Sequence, residues 1–252
     1  MTDVLDNGRV QAAIDPSRGA RLTSLVIDGH ELLDTDGSFP MVPWAGRIRD
    51  GRLTLNGITH QLPLSTDGNA IHGLGRNVAW DRVDDASYAC EMGAPWPTSG
   101  VATLQYELRS NGLRTTLSWD DGTDAPCSIG LHPWFRRRLD VGGDVDLRFE
   151  PTAMVERGTD ALPTGRLVQP SSGPWDDCFK VAGSPVLNWP GALEVSLSSS
   201  SPWWVVYDQP AETVCVEPQS APPDAFAHPA LQPDGLWPRS LWFEISAVDE
   251  AL

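Results

Sequence analysis

At 252 residues the chain carries 34 acidic side chains against 18 basic ones, a formal net charge of -16 that excludes the basic footprint nucleic acids and anionic membranes demand. Hydrophobic residues make up 40%, enough for a substantial core, yet no apolar run approaches the roughly 20 residues of a membrane helix. The start, Met1-Thr-Asp-Val-Leu-Asp6, lacks the basic and apolar regions of a signal peptide, so a cytoplasmic protein is expected.

With 23 glycines and 22 prolines the chain is expected to turn often and to hold few helices. From the N-terminus, Arg9–Ile14 alternates, turns through Asp15-Pro-Ser-Arg-Gly19, and resumes as Arg21–Ile27. Asp28-Gly29 then leads into Glu31-Leu-Leu33, completing an antiparallel meander. Arg52–Leu55, the Asn56-Gly57 turn and Ile58–Leu62 predict a hairpin. Strand patterns recur at 80–83, 102–108, 113–119, 145–149, 193–197, 203–207 and 241–247. That spacing predicts an all-β, large antiparallel β-sandwich in a single domain over residues 1–252. Three segments read as loops carrying polar residues: 41–49 with 69–77, 128–138, and the stretch beginning at Glu217, with 174–179 standing between.

Val214-Cys-Val216 predicts a short buried strand that stops at Glu217, because Pro218 cannot donate to a sheet ladder. Pro222-Pro223-Asp224 keeps the following residues extended. Glu217 is therefore expected on rigid β structure at a loop mouth, either solvated or partnered in a site. His72 and His132 each follow an apolar residue and precede one that breaks regular structure, whereas His60 and His228 read as structural. A metal site is not expected, since the histidines lack close ligand spacing and Cys90, Cys127, Cys178 and Cys215 are far apart and read as free thiols. There is no G-x-S-x-G elbow, no P-loop and no dinucleotide fingerprint. A two-carboxylate glycosidase would need Asp176 or Asp177 beside Glu217. What remains is a His/Glu acid–base pair in a tryptophan-rich β cleft. The 11 tryptophans fit this, because aromatic faces stack on the apolar faces of sugar rings.

Gly46-Arg47-Ile48, Ile71-His72-Gly73, Gly130-Leu-His-Pro-Trp-Phe135, Asp176-Asp-Cys-Phe179 and Val216-Glu217-Pro218 resemble, in order, the motifs of the aldose 1-epimerases, or galactose mutarotase-like proteins, in their compact branch. The resemblance spans nearly the whole chain and implies the family's antiparallel β-supersandwich. It implies Glu217 as the general base at the anomeric hydroxyl and His132 as the general acid at the ring oxygen. His72, Arg47 and Asp176 would bind the sugar. Asp176 is preferred to Asp177 because the family pattern puts the aspartate three residues before the aromatic, Phe179. No cofactor and no metal is implied, and the partner is a small sugar met by a monomer or homodimer. Two alternatives stay open: a hexose-6-phosphate 1-epimerase, with Arg136-Arg-Arg138 and Arg76 as phosphate ligands or merely a solvated basic face, and a non-catalytic carbohydrate-binding domain.

Overall fold

A computed structural model describes residues 2–249, and among these only strands and five short 3-10 turns occur as regular structure. Eleven strands form one antiparallel sheet. Side by side along it run Asp3–Asp6, Val10–Asp15, Arg21–Ile27, Leu33–Met41, Gly130–Arg136, Thr213–Gln219, Trp203–Tyr207, Asp176–Val181, Pro151–Arg157 and Pro163–Val168, with His30–Glu31 attached to Arg21–Ile27. Eight strands form a second sheet, in the order Asp81–Arg82, Ser87–Met92, Gly100–Arg109, Gly112–Asp120, Ser240–Ala247, Leu193–Ser199, Val186–Trp189 and Asp146–Arg148. The expected β-sandwich is what forms. No helix among the described residues is long and apolar enough to cross a membrane.

Alternation along the central strands sends one set of side chains to each face. Leu131, Phe135, Val214, Val216, Trp204, Val206 and Phe179 turn inward and join Leu104, Leu117, Phe243 and Ile245 of the second sheet in one core. Trp204 meets Phe243 edge-on across the sandwich, with ring centroids 6.0 Å apart. The intervening residues, His132, Trp134, Cys215, Glu217, Tyr207 and Asp176, occupy the opposite face. A β-strand can thus be core on one side and chemistry on the other.

Two expectations about the site strands are corrected. Glu217 does not end its strand, since pairing continues through Trp204↔Pro218 to Trp203↔Gln219 in the middle of the large sheet. Residues 128–138 are not a loop either, because Gly130–Arg136 is the adjacent central strand. A proline removes a donor toward only one neighbouring strand of an antiparallel ladder, so the other ladder can hold it in place. The ladder that is lost lies between these two strands. It pairs at Gly130↔Gln219 and resumes only at Trp134↔Cys215. Pro133 and Pro218 both fall in that gap, and so do His132 and Glu217. Each proline also holds the residue before it in extended backbone, which fixes the two polar side chains toward the same face.

Candidate active site

The register that links Gly130 to Gln219 and Trp134 to Cys215 sets His132 opposite Glu217. Their side chains meet, His132 Nε2 lying 3.3 Å from Glu217 Oε1. Both are buried, at 5% and 2% exposure, so neither charge is solvated as an isolated ion would need. Burial pushes the His132 imidazolium down to about 3 and holds the Glu217 carboxyl well above the usual carboxylate range. The pair therefore shares a proton readily. His132 is stacked between Phe39 and Trp134, at 4.6 and 5.1 Å between centroids, and this fixes its ring plane. Gln219 Nε2 donates to the other oxygen of Glu217 at 3.3 Å.

His72 approaches edge-on, its ring centroid 5.0 Å from that of His132. It follows the short strand Ala70–Ile71, which pairs with Arg47–Ile48. Its own backbone is left-handed, φ 59°, and its N–H donates to the Gly46 carbonyl at 2.9 Å. Gly73 continues the bend at φ 72°, where the Val42 main chain leaves no room for a side chain. Arg47 is steadied from below by Asp224, whose N–H donates to the Arg47 carbonyl and whose carboxylate accepts from Arg49 N at 3.1 Å.

These residues line a single cavity of about 280 Å3, which contains all five of Glu217, His132, His72, Arg47 and Asp176. Asp176 pairs with Tyr207 in the sheet, and Tyr207 with Cys215, so its side chain shares the Glu217 face. Asp177 also borders the cavity. Arg157, not singled out in the sequence, reaches both carboxylates at 3.5 Å and donates to the Asp176 carbonyl. The only signal for Arg157 is its place on a neighbouring strand, which pattern alone does not give. Among the described residues, buried Nδ1 of His72 and of His132, Nε1 of Trp134 and Oε1 of Gln219 have no hydrogen-bond partner. Such groups cost free energy unless something else satisfies them, and a polyhydroxylated ligand carries the matching donors and acceptors. His132, Cys215 and Glu217 also bring potential metal-ligand atoms within 4.8 Å of one another. Two of the three are the His132–Glu217 contact itself.

The family model described as Aldose 1-epimerase matches residues 3–234. The chain belongs to the aldose 1-epimerase family. Among its relatives is the uncharacterised Escherichia coli K12 protein YihR, 26% identical over 216 residues, which cover 74% of this chain and 70% of that one. The fold matches that of a galactose mutarotase-like protein from Clostridium acetobutylicum, TM-score 0.81 at 18% identity over 97% of this chain and 94% of the other. It equally matches an aldose epimerase homologue from C. elegans, TM-score 0.80 at 15% identity over 98% of each chain.

Within this epimerase-family cavity, Arg47 donates to Asp67 at 2.7 Å, both side chains being about one-third exposed. A partly exposed ion pair contributes about 0–1 kcal/mol. Asp67→Ala is therefore expected to free Arg47 and raise KM for the sugar by up to about fivefold while kcat stays within about twofold. Steady-state kinetics of the variant check this; a fall in kcat with unchanged KM would contradict it.

Proposed function

We propose that the chain interconverts the α and β anomers of an aldose by acid–base opening and reclosure of the ring. The observation that carries this reading is the buried His132–Glu217 contact of 3.3 Å, facing a cavity lined by hydrogen-bonding groups. The anomeric hydroxyl and the ring oxygen are bonded to the same carbon. A base and an acid that serve both must therefore be close neighbours on one face. Glu217 takes the hydroxyl proton while His132 delivers one to the ring oxygen, the ring bond breaks, and the open-chain aldehyde forms. Rotation about the bond beside the aldehyde carbon and closure with the roles reversed give the other anomer. His72 supports the ring-oxygen side; Arg47 and Asp176 hold hydroxyls.

The proton inventory fits. Carboxylate plus imidazolium is the form that opens a ring, and carboxylic acid plus neutral imidazole is the form left with the open chain. The two differ only in where one shared proton sits, and the low-dielectric site favours the second while sugar hydroxyls bonded to Glu217 favour the first. Each positioned group contributes about 10²–10⁴-fold. A domain that only binds sugar has no need to bury an ionisable pair, and this supports an enzyme over a binding module.

The pair must hold one proton to work, so its activity has two limbs. A second proton occupies His132 while Glu217 is already acid, removing the base; with His132 lowered to about 3, that loss lies in strong acid. Loss of the last proton removes the acid, and the raised Glu217 places this on the alkaline side of the usual carboxylate range. The expected kcat/KM profile shows no loss on acidification through pH 6.5, where an unperturbed histidine would gain its proton, nor through the usual carboxylate range. Activity that falls as pH drops through 6.5 would contradict the shared-proton account.

Polarimetry of freshly dissolved α-galactose and α-glucose tests the function. The account expects catalytic amounts of protein to shorten the approach to anomeric equilibrium. No acceleration of any aldose, charged or neutral, would refute it. The three consecutive arginines do not support a phosphate reading: Arg136 donates to the Leu33 carbonyl at 2.7 Å, Arg137 to the Pro210 carbonyl at 2.8 Å, and Arg138 to Asp144 at 2.7 Å. None of the three borders the cavity.

A further inference from the structure

The proposed reaction makes no use of a buried thiol that stands beside His132 and Glu217. Cys215 lies two residues before Glu217, on the same face of its strand, and pairs with Trp134 on one side and Tyr207 on the other. It is fully buried and in no disulfide. Among the described residues, Cys90 and Cys127 donate to main-chain carbonyls, whereas the Cys215 sulfur makes no hydrogen bond. Its Sγ, a ring nitrogen of His132 and a carboxylate oxygen of Glu217 all lie within 4.8 Å of one another. Sequence spacing does not reveal this set, because His132 joins it only across the interrupted ladder.

Thiolate, imidazole and carboxylate are the ligands that zinc-type ions take. The 3.3 Å between His132 Nε2 and Glu217 Oε1 is the span of two ligands each about 2.0–2.1 Å from a tetrahedral ion. A sulfur ligand stands roughly 3.6 Å from such neighbours, so the Cys215 side chain has to close by about 1 Å at most. Its two partners are already held. Phe39 and Trp134 clamp the His132 ring, and Gln219 Nε2 occupies the other oxygen of Glu217, leaving Oε1 to ligate. Charge selects the valence: one thiolate and one carboxylate with a neutral imidazole cancel a doubly charged ion, so the complex adds no net charge to a buried site. We propose that His132, Cys215 and Glu217 form an inhibitory site for a zinc-class divalent cation, with its fourth position open to the cavity. The thiol proton and the proton shared by His132 and Glu217 pass to solvent as the ion enters. Metal and sugar then exclude one another, because the ion takes the Nε2 and Oε1 through which the sugar's protons move. That consequence rests on the proposed function; the binding does not. Hard ions such as Mg2+ and Ca2+, which take oxygen ligands, are not held.

Co2+ titrated into the full chain is the probe, because a thiolate ligand gives it a near-ultraviolet charge-transfer band and four-coordination gives it strong visible bands. The readout does not depend on turnover. The expected result is one ion per chain showing both features, displaced by Zn2+ and untouched by excess Mg2+. Cys215→Ser should abolish the thiolate band and weaken Zn2+ by about tenfold or more, while basal anomer interconversion stays within about twofold. Cys90→Ser and Cys178→Ser should leave the band and the affinity intact. His132→Gln keeps the thiol and should also weaken Zn2+ by about tenfold or more, which tests the ligand set independently of how Cys215→Ser folds. Absence of a thiolate band, a band that survives Cys215→Ser, or Zn2+ affinity unchanged in His132→Gln would overturn the inference. Kinetics are scored separately: Zn2+ should suppress mutarotation at the concentrations that fill the site, and a chelator should restore it. Full activity with the site filled would overturn the inhibitory role. An intact cobalt band in a protein that accelerates no aldose refutes the proposed function and leaves the ion site standing.

Discussion

Glu217→Gln is expected to lower kcat for anomer interconversion by about 10²–10⁴-fold while leaving the fold intact. The amide keeps the shape of the side chain and can still meet His132, but it cannot take a proton from the anomeric hydroxyl. Sugar affinity should change little, since the cavity's other hydrogen-bonding groups remain. Stability should not fall, because the substitution removes an ionisable group from a site only 2% exposed and leaves no buried charge unpaired. Progress curves together with a thermal melt check both parts. Near wild-type kcat in a folded variant would remove Glu217 from the chemistry and leave His132 without its counterpart.

Gly73→Ala is expected to cost on the order of 2–5 kcal/mol and to disable the site with it. The backbone there is left-handed, φ 72°, and an added Cβ would stand 2.1 Å from the Val42 carbonyl oxygen. No side-chain rotation relieves a clash with main chain. The bend would have to open, and it carries His72, which faces His132 at 5.0 Å between centroids. Gly68→Ala serves as the control, having φ 83° but nothing within 4 Å of the added carbon. It should cost only the left-handed penalty of about 1–2 kcal/mol. Chemical denaturation of the two variants separates the clash from the backbone term; equal losses would mean that Gly73 is not tightly held.

Much of this fold was legible because alternation and turn chemistry agreed along the chain. Arg21–Ile27 and Trp203–Tyr207 lie where their patterns put them, and the Asn56-Gly57 turn joins the expected hairpin. The strand Leu33–Met41 was not legible past its first residue. It contains Gly37 and Pro40, two residues that weaken a strand locally, and is held by pairing with Gly130–Arg136, almost a hundred residues on. The same conflict hid the true setting of His132 and Glu217. Pro133 and Pro218 each argue against a central strand when taken alone. Only in the sheet does it emerge that they face one another's strand and share a single interrupted stretch of ladder.

The candidate residues were legible as short motifs, and their gathering into one cavity was not, because five segments from residue 47 to residue 217 contribute to it. Arg157 was missed for a related reason. An arginine in a strand or turn has no sequence mark that separates a ligand from a surface charge. The run Arg136-Arg-Arg138 drew attention by its charge density, yet its members spend their donors on Leu33, Pro210 and Asp144.

The most direct test of the shared-proton mechanism is anomeric exchange followed by proton NMR in deuterium oxide, using whichever aldose the protein binds. The account predicts faster exchange between the α and β anomeric protons with no deuterium entering the adjacent carbon, because Glu217 takes its proton from oxygen. Deuterium appearing at that carbon would mean that the base works on a C–H bond, as in an aldose–ketose isomerase, and would contradict the account.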